Sequence, residues 1–477
     1  MDIIAWASIA LTAGALISSW PKLSVLLSAA GFALALWYAL QGRWHLWPVV
    51  LITLATAGFA MLHPLPLWFS VFSAAVLAGT ALLLFKSAVP HTPPPTGQHK
   101  VGMRRLEFQV GDTAQQVYLW YPADPAPLAT PRRYFTAQEA KAFGSVYRAM
   151  GVPALFTGPY RLAQTHSYED AALARHLAQV CPALIFNHGG AMAPLQSLSL
   201  MEALASHGFI VLAMTHPGES AGIAWADGSI TAIAKAAIAK LKDMDVAKAA
   251  AQFALARSDA QRHKAIEALK PLAQSSLSAV TRAWSDRTSA MLDAISNTQF
   301  TPEVRAIFGA TTFDKVGFIG MSMGGSVSHD LCQRDKRAVA GVNLDGINWR
   351  FEWAGVPLPT RFLQIHADPD LMARQAARLL KQDALPNTPS DPTPLPNDIY
   401  YKSSGQGQVK RYTWQGRSHM FFTDQPLTST DLQARQDHAD LNALVVAFLS
   451  HALGSAPAGD IDAIAKKNPR LVELKTF

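Results

Sequence analysis

Residues 317–325 read Gly-Phe-Ile-Gly-Met-Ser-Met-Gly-Gly, an apolar run that empties into a serine flanked by glycines. Lys315-Val316-Gly317-Phe318-Ile319 has the composition of a buried strand, and Gly325-Ser326-Val327-Ser328-His329-Asp330-Leu331 that of a helix. Strand, Gly-x-Ser-x-Gly, helix is the pattern of a nucleophile elbow: the turn is so sharp that the serine is strained and its hydroxyl stands exposed. Gly320 and Gly324 keep side chains out of the crowded turn, and the amides of the following helix point at the serine. Ser322 is therefore the candidate nucleophile, and its surroundings must supply what a hydroxyl lacks at neutral pH: a base, an acid to orient that base, and donors for an oxyanion.

Strand and helix signals alternate on both sides of the elbow. Arg104–Val110 and Gln116–Tyr121 place apolar residues alternately, with Gly111-Asp112 as the turn of an antiparallel pair. Ala183–Phe186, Phe209–Met214, Ala338–Leu344, Arg361–Ile365 and Gln408–Trp414 read as strands. Leu195–His207, Leu371–Lys381 and Asp431–Leu453 have helical spacing. This alternation predicts an α/β-hydrolase: a doubly wound, mostly parallel sheet covered on both faces. An Ala- and Lys-rich helical insertion at about 231–292 reads equally as a lid or as a surface helical hairpin. Leu385–Asn397 is a proline-rich surface excursion.

The base candidate is His419, which follows the strand ending at Trp414 and precedes the last long helix. That puts it at the carboxyl edge of the sheet, where ligands gather in open α/β sheets. His329 and His366 compete with it. Two acids compete as well. Asp345 ends the strand Gly341-Val342-Asn343-Leu344, and Asp370 follows Phe362-Leu363-Gln364-Ile365 in His366-Ala367-Asp368-Pro369-Asp370. Asp345 is favoured, with Asp370 as the alternative acid. The oxyanion donors are the amide of Met323 and one from the loop after Ala183–Phe186, where Gly189 or Gly190 (or Ala191) lets the backbone turn an amide inward.

Ahead of the hydrolase pattern the composition changes. Half of the 477 residues are hydrophobic and 16% are charged, and the apolar excess lies at the front. Ile3–Trp20, Leu23–Leu40, Leu46–Leu62 and Leu65–Phe85 contain no Lys, Arg, Asp or Glu. These runs predict an all-α, four-helix transmembrane domain over 1–86, with tryptophans near the ends as interfacial anchors. Ser87–Lys100 is a proline-rich linker, and 101–477 the hydrolase domain. A cleaved signal peptide accounts for the first run but not for the other three. Arg43, Lys86, Lys100, Arg104 and Arg105 against Lys22 give a small positive-inside bias to a cytoplasmic catalytic domain on a bacterial inner membrane. The net charge of +7 fits attraction to anionic lipid, and no basic stripe with interleaved aromatics marks a nucleic-acid binder. Cys181 and Cys332 are compatible with free thiols or with one bridge. The chemistry requires no metal or cofactor.

Several segments, in order, resemble the platelet-activating-factor acetylhydrolase family of serine esterases, the lipoprotein-associated phospholipase group with its bacterial relatives. They are Leu119-Trp120-Tyr121-Pro122-Ala123, Pro182–Gly189, Ala205-Ser206-His207-Gly208-Phe209-Ile210-Val211, the elbow Gly320–Gly325, Ala340–Asp345 and Ser418-His419. The resemblance spans roughly residues 101–450. It implies Ser322 as nucleophile, His419 as base, Met323 with Gly189 or Gly190 as oxyanion donors, and an acid on the strand after the elbow, Asp345. It also implies a carboxylic ester hydrolase similar to the 1-alkyl-2-acetylglycerophosphocholine esterases, acting on phospholipids with short or oxidised acyl chains. Met-Ser-Met-Gly-Gly and Ala-Asp-Pro-Asp are also similar to cutinase-like polyester hydrolases, in which the later acid serves. A cutinase-like or general carboxylesterase is thus an alternative, and a non-catalytic membrane lipid-binding sensor is another.

Overall fold

The computed structural model describes residues 3–60, 65–86, 89–151, 157–177, 180–256, 259–381, 397–401, 408–454 and 459–474. The proline-rich excursion at 385–397 lies outside them save for Asn397. Two compact units result: residues 1–92, 133–165 and 426–435 form the first, and 93–132, 166–425 and 436–477 the second. The hydrolase region expected to be continuous from 101 is therefore interrupted twice.

In the first unit, α1 (Ile3–Ile17), α2 (Pro21–Leu40), α3 (Trp47–Ala60) and α4 (Leu67–Lys86) follow the four apolar runs. Pro21 starts α2 and disfavours helical geometry at Trp20, so α1 stops at Ile17, short of the expected Trp20. At 15 residues α1 is about 22 Å long, less than a bilayer core of about 30 Å. Pro21–Leu40 and Leu67–Leu84 are long and apolar enough to cross a membrane; Ile3–Ile17 and Trp44–Ala60 are shorter. Small and hydroxyl-bearing residues face inward: Ser8, Thr12, Ser24, Ser28, Thr53 and Thr56 are buried, while Leu26, Trp37, Leu51, Leu54 and Phe72 are exposed. All of these hydroxyls except that of Ser28 donate to helix carbonyls, as in Thr12 Oγ1 to Ser8 O (2.7 Å) and Ser24 Oγ to Ala15 O (2.8 Å).

α5 (Ala137–Ala149) and α6 (Gly158–Leu162) join this unit for a physical reason. A Cβ on Gly158 would lie 1.9 Å from Gly42 O, and one on Gly42 would lie 2.8 Å from Gly158 O, so the two glycines let the backbones touch. Thr136 caps α5 in a reciprocal pair with Glu139. Tyr134, Phe135, Phe143 and Tyr160 pack ring on ring beside it.

The second unit is built on strands β1 (Lys100–Val110), β2 (Thr113–Asp124), β3 (Ser167–Glu169), β4 (Ala172–Leu173), β5 (Cys181–Asn187) and β6 (Ile210–Met214). β7 (Gly222–Ala224) and β8 (Ile230–Ala232) form a separate small pair. β9 (Thr311–Met321), β10 (Ala338–Leu344), β11 (Arg361–Ala367), β12 (Val409–Trp414) and β13 (Leu471–Glu473) complete the main sheet. Its order is β13-β12-β11-β10-β9-β5-β6-β2-β1-β3, with β4 on β2. From β6 to β12 every pairing is parallel. β1 and β2 form the expected hairpin, with Gly111 at φ 59° in its two-residue turn. This is an α/β-hydrolase sheet.

Helices cover both faces. α7 (Leu198–Ser206), α8 (Lys235–Leu241), α9 (Met244–Leu255), α10 (Asp259–Ala273), α11 (Ala279–Ile295) and α12 (Pro302–Gly309) precede β9. α13 (Met323–Arg334), α14 (Pro369–Leu380), α15 (Asp398–Tyr401), α16 (Leu432–Leu453) and α17 (Ile461–Lys467) follow it. Alternation along the central strands sorts the faces. Val316 and Phe318 join Val327 and Leu331 of α13 and Trp284 and Leu292 of α11 in the main core. Gly317, pointing the other way, lies beneath Leu449 and Leu453 of α16. Of the insertion at 231–292, α11 is thus a core helix rather than part of a surface hairpin. Cys181 and Cys332 are buried free thiols.

The β9–α13 turn leaves no room for side chains. A Cβ on Gly320 would sit 1.8 Å from Gly324 O, whereas one on Gly309 meets nothing within 4 Å. Gly320→Ala is expected to destabilise the protein by roughly 3 kcal/mol or more. Gly309→Ala should be neutral or stabilising by up to about 1 kcal/mol, as the last residue of a helix. Thermal unfolding of the two detergent-purified variants checks the contrast, which equal melting temperatures would overturn.

Candidate active site

Ser322 joins β9 to α13 with φ 56° and ψ −117°, a conformation that L-residues rarely adopt. Its amide donates to Leu344 O at 2.9 Å, and its carbonyl accepts from the amides of Gly325 (2.9 Å) and Ser326 (3.2 Å). The turn is locked by contacts to the neighbouring strands. A Cβ on Gly324 would lie 1.9 Å from Asn187 O at the end of β5, and one on Gly346 would lie 2.1 Å from Ser322 O.

Asp345 stands at the end of β10, next to β9 in the sheet, and is also left-handed at φ 56°. Its amide donates to Ile365 O at 2.8 Å. One carboxylate oxygen accepts from the Ala367 amide at 2.7 Å; the other meets His419 Nδ1 at 2.6 Å. A buried polar network holds the loop behind it. Asn343 Nδ2 donates to Gly346 O and Asn348 Oδ1, both at 3.0 Å. Asn397 Nδ2 donates to Gly346 O at 2.7 Å and Gln364 Oε1 at 3.0 Å. Tyr401 also donates to that Gln364 oxygen, at 2.8 Å.

His419 opens a short 3₁₀ turn after β12. The approach is held by Asp368, whose carboxylate accepts from the Gly416 amide at 2.7 Å and whose own amide donates to Arg417 O at 2.9 Å. The same Asp368 caps α14. Asp370 lies one residue into that helix, in its first turn, and its amide donates to Asp368 Oδ1 at 2.7 Å. The carboxylate hydrogen-bonded to His419 is Asp345. The His419 side chain is 36% exposed and that of Asp345 9%, so the imidazole opens to solvent while its partner is enclosed.

Electrostatics separates the histidines. Burial disfavours the His419 imidazolium, but the hydrogen bond and charge of Asp345 outweigh it and raise its pKa. His329 is buried among the rings of Phe362, Tyr400 and Tyr401, and burial lowers its pKa to about 3. His366 is lowered to about 4, chiefly by burial. Neither competitor hydrogen-bonds Asp345 as His419 does.

Met323 is the first residue of α13, and its buried side chain meets Thr281 of α11 at 3.4 Å. A Cβ on Gly189 would sit 3.2 Å from Ser322 Cβ and 2.6 Å from Met192 Sδ, so the His188–Met192 loop lies against the serine. Gly189 O accepts the Met192 amide at 3.1 Å, and Ala191 is left-handed at φ 54°. Thus Ser322, Asp345, His419, Met323, Gly189 and Gly190 converge at the carboxyl ends of β5, β9, β10 and β12. Sequence reading missed the Asn343–Gln364–Asn397–Tyr401 support. It also missed the Thr215-His216-Pro217-Gly218 loop after β6, which reaches His188 through Ser220 (2.7 Å).

Comparison with known proteins gives the family and the fold. The family model for platelet-activating factor acetylhydrolase, isoform II, matches residues 85–377. The chain belongs to this family. It is a serine ester hydrolase on that ground. The matched segment includes Ser322 and Asp345, and His419 lies beyond it. No curated protein sequence matches the chain. Among solved structures, the ferulic acid esterase of Streptomyces cinnamoneus is similar in fold, with 18% identity and a TM-score of 0.55 over 81% of this chain and 100% of the esterase. The acylaminoacyl peptidase of Pyrococcus horikoshii is 12% identical over 76% of this chain and 44% of its own, with a TM-score of 0.36.

A base accepts a proton only when neutral, so activity should fall as pH drops through the raised pKa of His419. The acid limb of kcat/KM is expected to centre above the ordinary imidazole value of 6.5. Asp345→Asn removes what raises the pKa and leaves the burial that lowers it, so the limb should move to lower pH. It should also cost up to about 10⁴-fold in kcat. Asp370→Asn should leave both limb and rate nearly unchanged. Esterase pH profiles of the two variants decide, and a larger loss in the Asp370 variant would reverse the assignment.

Proposed function

We propose that the protein is a membrane-anchored member of its family that hydrolyses the ester of phospholipids carrying a short or oxidised acyl chain through a Ser322–His419–Asp345 triad. The observation that carries the catalytic reading is the 2.6 Å Asp345–His419 hydrogen bond, with a serine at φ 56° at the end of the strand next to that of Asp345. Asp345 accepts from Nδ1–H, which leaves Nε2 as the lone-pair nitrogen for the serine proton. Ser322 Oγ attacks the ester carbonyl as His419 takes its proton. The tetrahedral oxyanion is met by the amide of Met323 and one from the Gly189–Gly190 loop. Collapse expels the alcohol, which leaves with the proton from His419. Water, deprotonated by the same imidazole, then frees the acid and restores Ser322. Each oxyanion donor is worth about 3 kcal/mol of transition-state stabilisation.

The membrane reading is supported by two helices of spanning length and composition, and by packing that turns small hydroxyl residues inward and Leu, Trp and Phe outward. An enzyme held at a bilayer meets its substrate at high local concentration, and a short or oxidised acyl chain leaves the lipid core at little cost, at about 0.8 kcal/mol per CH₂ extracted.

Ser322→Ala is expected to abolish p-nitrophenyl acetate hydrolysis and fluorophosphonate labelling, down by at least about 10⁴-fold. In detergent or vesicles, phosphatidylcholines with sn-2 acyl groups from two to sixteen carbons should show turnover falling steeply with length. A flat profile would sink the substrate claim, and undiminished turnover by the Ser322 variant would sink the mechanism.

A further inference from the structure

A second polar cluster, buried behind the Gly189 loop, has no part in the triad. His188 from the end of β5, His216 and Ser220 from the loop after β6, and Asn187 are all buried; Trp284 of α11 stacks on His216 with ring centroids 3.6 Å apart. The hydrogen-bond directions in this cluster follow from the atoms. Arg287 has only donors, so its 3.1 Å contact makes His216 Nδ1 an acceptor, and His216 Nε2–H donates to Asn187 Oδ1 at 2.9 Å. The backbone amide of His216 donates to Ser220 Oγ at 2.8 Å. At the other end, Gly189 O can only accept, so His188 Nδ1 carries the proton in their 2.7 Å bond. The neutral imidazole therefore accepts at Nε2 from the Ser220 hydroxyl, also at 2.7 Å. The sequence of donations runs one way, from His216 through Ser220 and His188 to Gly189 O.

We propose that His188 is a positioning residue that fixes the Gly189–Gly190 peptide of the oxyanion loop, with Ser220 and His216 fixing His188 in turn. Gly189 O is held from two directions, by His188 Nδ1 and by the Met192 amide at 3.1 Å. In a trans peptide the next N–H points opposite to the carbonyl, so holding Gly189 O aims the Gly190 amide away from His188. A Cβ on Gly189 would lie 3.2 Å from Ser322 Cβ, so the peptide that carries the Gly190 amide lies beside the nucleophile. Burial lowers the His188 pKa to about 4, so at neutral pH the ring is a fixed dipole rather than a proton carrier. Of the two glycines, this selects Gly190 as the second oxyanion donor.

The inference rests on Ser322 being the nucleophile, and the experiment separates the two. Purified full-length wild type, Ser322→Ala, His188→Ala, His188→Asn and Ser220→Ala are assayed on p-nitrophenyl acetate and titrated with a trifluoromethyl ketone, which mimics the tetrahedral state. His188→Ala should lose about 10²-fold in kcat, as for loss of one oxyanion donor, with KM within about two-fold. Ketone affinity should fall by the same factor as kcat. The Asn side-chain amide can donate where Nδ1–H did, so His188→Asn should recover to within about five-fold of wild type. Ser220→Ala should lose about ten-fold, again with parallel loss of ketone affinity. If His188→Ala does not fold, His188→Asn and Ser220→Ala carry the test alone. Unchanged kcat in Ser220→Ala or His188→Ala overturns the proposal, as does a loss in His188→Asn equal to that in His188→Ala, or a loss confined to KM. Full activity in Ser322→Ala would instead overturn the nucleophile assignment on which it stands.

Discussion

Backbone crowding at one point of the sheet is what the site depends on. β5, β9 and β10 converge at Ser322 closely enough that side chains are excluded at Gly320, Gly324, Gly325 and Gly346, where a Cβ would lie 1.8–2.1 Å from a neighbouring atom. The chain can turn there only by forcing Ser322 to φ 56°, and Asp345 and Ala191 at the ends of the flanking segments adopt left-handed φ as well. Such residues cost of order 1–3 kcal/mol each and persist where surrounding structure over-determines them. Here the surroundings are parallel ladders and a buried amide network from Asn343 to Tyr401. Three strained residues around one hydroxyl are stronger evidence of a site than any of them alone.

Solvation then decides which histidine can act. Burial lowers the pKa of His188, His216, His329 and His366. These rings stay neutral and serve as wedges, donors and acceptors. His419 is raised although burial opposes it, because the Asp345 carboxylate hydrogen-bonds its Nδ1. The same sheet edge therefore holds neutral imidazoles that orient backbone and one that can carry a proton. Sequence order could rank His419 above His329 and His366, but the reason for that ranking lies in burial and in a contact made across the sheet.

Local rules made much of this legible. Parallel strands buried on both faces read as uninterrupted apolar runs, so β5, β6, β10, β11 and β12 fall within a residue or two of their expected bounds. The elbow is legible because its glycines answer a steric demand inside five residues. What escaped depends on partners distant in the chain. Asn397 supporting Gly346, and Ser220 supporting His188, carry no periodic signal. The division into units escaped for the same reason: 133–165 joins the apolar helices through the Gly42–Gly158 approach, and two isolated glycines far apart announce nothing. Helix ends in the apolar region followed proline rather than hydropathy, which is why α1 is shorter than its apolar run.

The helical insertion is where these levels meet. α11 presents Thr281 to Ser326 and Met323 of the elbow helix, Trp284 to His216, and Thr288 to Asn187, 3.2 Å from its Oδ1. A segment that read as a lid or a surface hairpin thus supplies a wall of the core behind the elbow helix and the end of β5. Two of its other helices also reach the core, through Val246 and Ala249 of α9 and Leu269 and Ala273 of α10. α9 carries exposed Met244 and Lys248, and packs against α14, the helix that Asp368 caps while it also holds the approach to His419. α9 and α14 therefore link the insertion to the loop that carries His419, whereas α11 packs behind the elbow helix. The insertion is thus tied into the hydrolase core along most of its length rather than lying over it as a separate hairpin.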